Sequence, residues 1–315
     1  MQFIKPKVII SKCLEFEACR YDGQIIKNNF ISRLKSFVDF TTVCPEVEIG
    51  MGTPRDPIHI QENGTSFLLV QPKSGKEFSQ KMNQFSDDFI NSINKIDGFL
   101  LKHASPSCGF KSAKIYNKKS KAPVGRGDGL FALKITENFP DHPKEEEKRL
   151  NNVFLREHFL TSIFTIADYR NVNSFDKLYK YHAKHKYLFM GYNQTLMRNM
   201  GKVAANREEL DLEMVLNKYY TFLLRMFLKR ARYQSNINTH MHIMGYFKNF
   251  ISNKEKKHFL DTLDDYREKK IPLSTVNNIL YSWSLRFEND YLKEQSFFCP
   301  FPSELIDIET NRFYK

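Results

Sequence analysis

The stretch Val8-Ile9-Ile10-Ser11-Lys12-Cys13 joins a short apolar run to a cysteine. Valine and isoleucine favour β-strands, so this run predicts a buried strand that ends just before the cysteine. The same arrangement recurs at Phe37 to Cys44, and again where Gly98 to Leu101 precedes Ser105-Pro106-Ser107-Cys108-Gly109. Such runs alternate with amphipathic helical segments in the first part of the chain, as in βαβ units. The sequence therefore predicts an α/β, Rossmann-like N-terminal domain with a mainly parallel sheet.

The three cysteines at these strand ends form a predicted site. In open α/β sheets, ligands bind outside the carboxyl ends of the strands, so we expect Cys13, Cys44 and Cys108 to converge there. Gathered thiolates bind zinc, copper(I) or iron–sulfur centres. Three protein ligands leave one coordination position open, and an open position is typical of a catalytic centre. The odd total of five cysteines argues against a disulfide framework.

A helical domain is predicted after the breaker Pro140-Asp141-His142-Pro143. We place the boundary there, which gives domains 1–143 and 144–315. Beyond the breaker the hydrophobic period is helical, so the C-terminal domain is predicted to be all-α. The helical patterns span residues 145–169, 176–200, 207–232, 241–250 and 253–269.

The chain is basic, with a formal net charge of +12. A positive surplus favours polyanionic partners such as nucleic acid. Between Lys102 and Lys134, eight lysines and arginines stand against Asp128 alone, and this segment includes Cys108. It is either a solvated loop or an electropositive rim that guides phosphates, to which Lys111 and Arg126 would contribute.

Basic residues also interleave with aromatic residues in the helical half. Lysine and arginine neutralise phosphates while aromatic rings stack on bases, so an RNA-binding face is one interpretation. The other is an amphipathic bundle whose aromatic residues form the core. The predicted RNA contacts are Lys180, Lys184, Lys186, Lys229, Arg230 and Arg232.

Four motifs in their order and spacing resemble the thiouracil desulfidase family. They are Ser11-Lys12-Cys13-Leu14, Cys19-Arg20-Tyr21-Asp22-Gly23, Cys44-Pro45-Glu46 and Ser105-Pro106-Ser107-Cys108-Gly109. The resemblance covers roughly residues 5 to 135, with Gly125 to Gly129 matching a late glycine-rich stretch. The C-terminal half looks like the helical domain often fused to this family, and the two-domain form is similar to bacterial desulfidases of 4-thiouridine in tRNA.

The resemblance implies a 4Fe-4S cluster held by Cys13, Cys44 and Cys108, with one iron free of protein. It implies hydrolysis of a C–S bond without net redox change, in which the open iron captures the sulfur as hydrosulfide. Glu46 would be the general base, and Ser105 would orient the water or the pyrimidine. From the residues alone, a carboxylate at the position of Glu46 is more often an ordinary surface or cap carboxylate, and a serine at the position of Ser105 more often caps a local turn.

Three further features qualify this interpretation. Cys19 could be a fourth ligand, which would close the open iron, but we interpret it as a neighbour of the cluster because members of the resembling family vary at this position. Arg20, Tyr21 and Asp22 are predicted to contact substrate, although Asp22-Gly23 also suits a turn. The stretch from Gly125 to Gly129 lacks the order of nucleotide-binding loops, so no nucleotide cofactor is expected.

Three hypotheses follow from the sequence. The first is a cluster-dependent desulfidase of 4-thiouridine in tRNA, and the second is a desulfidase of free thiouracil-type bases. The third is a non-enzymatic Fe–S or zinc module that binds nucleic acid or senses redox state. Because no signal peptide and no long apolar run is present, we expect a cytoplasmic protein that does not enter a membrane.

Overall fold

The computed structural model describes residues 3–64 and 66–306 of the chain. It divides into two compact units, one formed by Met1–Ala167 with Glu304–Lys315 and the other by Asp168–Ser303. This division falls later than the predicted boundary after residue 143, because the segment that follows the Pro143 breaker pairs with the N-terminal sheet. Among the described residues, no helix is both long and apolar enough to cross a membrane.

The N-terminal unit is built on strands that form two sheets. The first sheet has the order β2-β1-β5-β8 and the second has the order β4-β3-β6-β7. The strands are β1 (Lys7–Ser11), β2 (Asp39–Val43), β3 (His59–Asn63), β4 (Ser66–Val70), β5 (Gly98–Leu101), β6 (Ala113–Tyr116), β7 (Pro123–Gly127) and β8 (Lys144–Glu146).

The first sheet is parallel at each of its ladders, as the sequence predicts. Val8 pairs with both Phe40 and Gly98, and the register carries the ends of β1, β2 and β5 to one edge of the sheet. Strand β5 is buried along its whole length, which explains its continuous apolar sequence. The α/β fold class predicted for this part of the chain is confirmed.

The second sheet is mixed. Strand β3 pairs with β4 antiparallel and with β6 parallel, and β6 forms an antiparallel hairpin with β7. One face of this sheet contributes Ile60, Leu69 and Ala113 to a hydrophobic core that also contains Phe99 and Phe131. The core therefore joins the second sheet to β5, the strand that precedes Cys108.

The prediction of a helix from Glu145 is wrong. Residues Lys144–Glu146 form β8, which pairs in parallel with β5, and the helix begins only at Val153. Glu145 to Glu147 are buried although they are acidic. Helical periodicity does not reveal such a strand, because its carboxylates are stabilised by distant hydrogen-bond donors and not by the pattern of neighbouring residues.

Helices make up most of the second unit, which confirms the predicted all-α C-terminal region. Sequence analysis missed the last two helices. The helices are α1 (Asn29–Leu34), α2 (Pro45–Glu48), α3 (Ser79–Asn91), α4 (Leu130–Asn138), α5 (Val153–Tyr169), α6 (Phe175–Ala204), α7 (Leu212–Met226), α8 (Tyr233–Met244), α9 (Asn253–Arg267), α10 (Leu273–Arg286) and α11 (Asp290–Lys293).

A polar network is buried in the helical unit. The Asp168 carboxylate accepts hydrogen bonds from Lys184 Nζ at 2.6 Å and pairs with His185 Nε2 at 2.9 Å. The other ring nitrogen of His185 lies 2.7 Å from the Ser296 hydroxyl. Burial raises the pKa of Asp168, but the hydrogen bonds from His185 and Lys184 outweigh it and lower the pKa to about 2.

We predict that Asp168→Asn lowers the free energy of unfolding of the helical unit by about 2 kcal/mol, since it removes a charge-assisted hydrogen-bond acceptor. The effect can be measured by urea denaturation, followed through the fluorescence of Trp283, the single tryptophan of the chain. Because the folded pKa of Asp168 is depressed, its contribution is fully present above its ordinary pKa near 3.9. The difference between wild type and variant should disappear as the pH falls through about 2.

Asp176→Asn is the matched control. The Asp176 and Lys180 side chains form an i,i+4 pair that is 70% and 76% exposed, and such a pair contributes at most about 0.5 kcal/mol. Equal losses in the two variants would contradict a structural role for the Asp168 network.

Candidate functional site

The three predicted cysteines follow three adjacent strands of the first sheet. Cys13 follows β1, Cys44 follows β2 directly, and Cys108 lies in the loop after β5. The backbone N–H of Lys12 donates to the carbonyl oxygen of Val43 at 2.8 Å, and the N–H of Lys102 donates to the Ser11 hydroxyl at 2.9 Å. These bonds continue the sheet beyond its last ladder residues and hold the strand ends together.

Cys19 joins this group of thiols. Its thiol hydrogen-bonds those of Cys13 and Cys44, and Cys44 Sγ also donates to the carbonyl oxygen of Cys19 at 3.7 Å. The hydrogen bond with Cys13 raises the pKa of Cys19 to about 11. The hydrogen bond with Cys19, followed by burial, raises the pKa of Cys44 well above its ordinary value.

Cys108 is buried beside the same strand ends. Its thiol hydrogen-bonds the hydroxyls of Ser11 and Ser105, and it is close enough to Cys44 and Glu46 for their charges to act on it. Burial is the main cause of its raised pKa. All four thiols are buried and free of disulfides, so the strand ends gather soft donors in a protected place.

Two buried carboxylates position the Cys108 loop. Glu146 Oε1 accepts a hydrogen bond from the Phe110 N–H at 2.7 Å and another from the Ser112 hydroxyl. Its second oxygen lies 2.7 Å from His103 Nδ1, while Glu147 accepts the His103 N–H at 2.6 Å. Glu146 at the end of β8 and Glu147 just after it therefore accept backbone N–H groups on either side of Cys108.

The N-terminus of α4 packs directly on the same loop. The Gly129 N–H donates to the Gly109 carbonyl oxygen at 2.8 Å, and the Ala132 N–H donates to that of Ser107 at 3.0 Å. A Cβ atom on Gly129 would lie 2.4 Å from the Ser107 carbonyl carbon and 2.8 Å from the Cys108 nitrogen. Only glycine fits at this position.

Glu46 lies between the thiols and an arginine that the sequence analysis did not identify. Arg55 Nε and Nη2 donate to Glu46 Oε2 at 2.8 and 2.6 Å, and the Ser107 hydroxyl donates to Oε1 at 3.0 Å. Arg55 Nη1 also donates to the carbonyl oxygen of Cys19 at 3.0 Å. Both Glu46 oxygens accept hydrogen bonds, as an ionised carboxylate does.

Ser105 has a local role in the structure. Its hydroxyl oxygen accepts the N–H groups of Ser107 at 3.2 Å and Cys108 at 3.1 Å, which is the turn-capping arrangement considered from the sequence. Ser107, and not Ser105, contacts Glu46. A catalytic role for Ser105 stays a prediction.

The other predicted substrate contacts lie on nearby turns. Arg20 pairs with Asp22 at 3.1 Å, and its guanidinium is 5.5 Å from the centre of the Tyr21 ring. Tyr21 is 45% exposed. The Lys111 N–H donates to Asp128 Oδ1 at 2.6 Å, while its side chain is exposed. The Asp22-Gly23 turn is therefore formed, and the substrate roles of these residues stay predictions.

The predicted RNA contacts of the helical unit do not share one environment. Lys184 is bound to Asp168, and Lys180 is paired with Asp176. The Lys186 ammonium lies 6.0 Å from the centre of the Tyr187 ring. The remaining predicted RNA contacts are Lys229, Arg230 and Arg232, whose side chains are exposed between α7 and α8.

The chemistry of the buried thiols is that of iron–sulfur cluster ligands. Cysteine thiolates are the ligands of iron–sulfur clusters, and the four buried cysteines contain no disulfide that would prevent ligation. Within residues 3–64 and 66–306, no three Cys, His, Asp or Glu side chains are grouped around a position for one metal ion. Cluster ligands bind different irons and need not be that close together. The buried thiols of Cys13, Cys44 and Cys108 have the donor chemistry that an iron–sulfur cluster binds.

Comparisons with known proteins match the two parts of the chain separately. Residues 8–147 match the family described as 2-thiouracil desulfurase, and residues 186–302 match a family described as protein of unknown function DUF1722. The first match confirms the desulfidase resemblance predicted from the cysteine motifs. A tRNA substrate is not part of either description.

Individual relatives are distant. The chain is 28% identical over 134 residues to the uncharacterized protein YbbK of Bacillus subtilis, covering 40% of this chain and 86% of YbbK. It is 24% identical over 122 residues to the uncharacterized protein YbgA of Escherichia coli, covering 38% of this chain and 72% of YbgA. A solved structure, the [4Fe-4S]-dependent thiouracil desulfidase TudS, is 28% identical with a TM-score of 0.38, covering 49% of this chain and 98% of TudS.

Sequence reasoning missed three groups at this site. Arg55 carried no signal, because its partners Glu46 and Cys19 lie 9 and 36 residues away. Ser107 was passed over for Ser105, although both belong to the same motif. The run Glu145-Glu146-Glu147 was a usable signal, since consecutive carboxylates after a proline breaker do not fit the apolar period expected of a core helix.

We predict that Gly129→Ala lowers the free energy of unfolding by about 1–3 kcal/mol, because the added methyl group displaces the Cys108 backbone. The same change should increase the rate at which a thiol reagent labels Cys108. Thermal denaturation and mass spectrometry of the labelled protein measure the two effects.

Gly125→Ala in β7 is the control, since a Cβ atom there would meet nothing within 4 Å. If Gly129→Ala behaved like this control, the proposed packing of α4 on the Cys108 loop would be wrong.

Proposed function

We propose that this protein is a desulfidase that removes sulfur from 4-thiouridine in tRNA, using a 4Fe-4S cluster held by Cys13, Cys44 and Cys108. The observation that carries the proposal is the placement of these thiols at adjacent strand ends, with the anchored Glu46 carboxylate among them. The match of residues 8–147 to the desulfurase family supports the reaction class. The basic charge of the chain favours a polyanionic substrate over a free base.

The reaction exchanges the thiocarbonyl sulfur for the oxygen of water. One water enters, the C–S bond breaks, a C–O bond forms and hydrogen sulfide leaves, so no electron acceptor or donor is needed. A bound cluster with one iron free of protein would supply a thiophilic Lewis acid for the sulfur.

Glu46 moves the protons in this proposal. Its Oε2 atom is held by Arg55, whereas Oε1 contacts only the Ser107 hydroxyl among the hydrogen bonds of the described residues. Oε1 therefore has a lone pair available to take a proton from the attacking water. Ser107 can turn its own hydrogen between Glu46 and the water, which orients the water.

The first test is incubation of the anaerobically reconstituted protein with bulk tRNA that contains 4-thiouridine. We predict loss of the near-ultraviolet absorbance of the thiobase and release of an equal amount of sulfide. Glu46→Gln should reduce the rate by about 10²–10⁴-fold while the cluster absorbance is unchanged, because the base is lost and the shape is kept.

The outcomes separate the hypotheses. If the thiobase absorbance of free 4-thiouracil falls rapidly while that of tRNA does not change, the protein is a small-molecule desulfidase. If neither substrate loses its thiobase absorbance although the cluster is stable, the result favours a binding or redox module. Cys19→Ser reports the ligand set, since retention of the cluster supports three cysteine ligands and its loss supports four.

A second prediction concerns Arg55. Arg55→Ala should lower kcat by about 10–100-fold with little change in KM, because Glu46 loses its orientation. Arg55→Lys should restore only part of the rate, since lysine lacks the planar fork that donates twice to Oε2.

Lys73→Ala is the control, because Lys73 forms an exposed ion pair with Asp56 beside Arg55. Cluster content per chain is measured in each variant. A fall in cluster content that matches the fall in rate would show that Arg55 only maintains the fold and does not position Glu46.

A further inference from the structure

The second sheet has an outer face that the desulfidase chemistry does not use. Ile60, Leu69 and Ala113 point into the core from β3, β4 and β6, and Ile115 packs against the same core. Side chains alternate along a strand, so the residues between them point away from it. We call this second set the outer face, which has Lys114, Tyr116 and Arg126 on β6 and β7, His59 and Gln61 on β3, and the apolar Leu68 and Val70 on β4.

The outer face combines cations with stacked rings. Lys114 and Arg126 are paired directly across the β6–β7 ladder, and both are exposed. The His59 and Tyr116 rings stack with their centroids 4.4 Å apart and an angle of 13° between their planes. Burial lowers the pKa of His59, which favours the neutral form of its ring.

The turn of the β6–β7 hairpin adds three exposed lysines, which are Lys118, Lys119 and Lys121. The turn is held by Asn117, whose side-chain oxygen accepts the N–H groups of Lys119 and Ser120, each at 2.9 Å. Asn117 also donates to the Glu62 carboxylate of the neighbouring strand at 2.5 Å.

The charge on this hairpin is unbalanced. Residues 111–126 contain six lysines and arginines and no carboxylate, which is half of the net surplus of +12 in sixteen residues. Like charges directly opposite on two strands destabilise a hairpin. A phosphate bound between Lys114 and Arg126 would remove that repulsion, whereas solvation alone does not require the two cations to be opposite.

The hairpin is fastened to the Cys108 loop at its base. Strand β6 begins after Ser112, which donates to Glu146, and β7 leads through Asp128 to Gly129, which contacts Ser107 and Cys108. Five residues of β7 span about 16 Å. A nucleic-acid strand along the outer face would therefore run from the hairpin tip toward the thiols.

We propose that the outer face and the hairpin tip bind the sugar–phosphate backbone of the RNA that carries the thiolated base. Lys114 and Arg126 contact a phosphate, the tip lysines contact its neighbours, and the Tyr116–His59 pair stacks on a flanking base. This inference rests on the proposed function and names the surface that selects a polynucleotide over a free base.

The test uses the full-length double variant Lys114→Gln/Arg126→Gln and unmodified bulk tRNA. We expect binding about tenfold weaker at low salt, and a slope of log K against log salt that is shallower by about 1 to 2. The thermal midpoint should be unchanged or higher, since a repulsive pair has been removed. If the surface served only the fold, the double variant would have a lower thermal midpoint and unchanged tRNA binding.

Lys256→Gln/Lys257→Gln on α9 changes the net charge equally at two exposed positions and is the matched control. Equal tRNA binding by wild type and the hairpin variant would overturn the proposal. An equal loss of tRNA affinity in the two double variants would also overturn it. Binding to an acidic protein or peptide that alone falls in the hairpin variant would also overturn it.

Turnover distinguishes this inference from the proposed function. The hairpin variant should lose kcat/KM for 4-thiouridine in tRNA but keep it for free 4-thiouracil. If wild type desulfurates neither substrate, the proposed function fails, and the surface is then judged by tRNA binding alone. If wild type desulfurates tRNA and the hairpin variant does so equally well, only the surface is wrong.

Discussion

The burial of Glu146 and Glu147 is the constraint on which the site depends. A carboxylate in a protein interior is costly unless its oxygens accept hydrogen bonds. These two are 1% and 3% exposed, and their donors come from the loop between β5 and β6. The loop needs them in return, because Ala104 and Lys111 have positive φ angles of 56° and 54° and the loop leaves the ladder pattern. Strand and loop therefore stabilise one another, and Cys108 lies between the two anchored ends.

A second constraint is the electrostatic balance around Glu46. Thiolates at Cys13, Cys44 and Cys108 would repel one another and the Glu46 carboxylate, since all lie near the ends of the same strands. Arg55 offsets part of this repulsion, with a side chain that is only 5% exposed. Its Nη1 atom also donates to the carbonyl oxygens of Cys19 and Gly52, so one guanidinium ties the Cys19 turn to the segment after Cys44. The same side chain therefore holds Glu46 and supports the loops around it.

The sequence predicted what depends on local pattern. The apolar runs before Cys13, Cys44 and Cys108 were sufficient for the parallel sheet, and parallel pairing then brings the strand ends together. The run Glu145-Glu146-Glu147 argues against a core helix but does not by itself predict strand β8, because buried glutamates follow no hydrophobic period. Arg55 could not be predicted either, because its contacts with Glu46 in α2 and with the carbonyl oxygen of Cys19 arise only in the folded chain. Ser107 shows the limit of motif reasoning, which found the right segment but not which hydroxyl faces Glu46.

The thiols and the exposed cations of the N-terminal unit lie on different sheets, and this difference bears on the size of the substrate. A free thiobase needs only the strand ends of the first sheet, where the thiols and Glu46 lie. The second sheet buries one face in the common core and presents cations on the other. A cationic cross-strand pair contributes nothing to that core and weakens the hairpin. Its position, on a hairpin whose base contacts the Cys108 loop, is what the proposed RNA substrate would require, since that substrate extends beyond the thiolated base and carries phosphates.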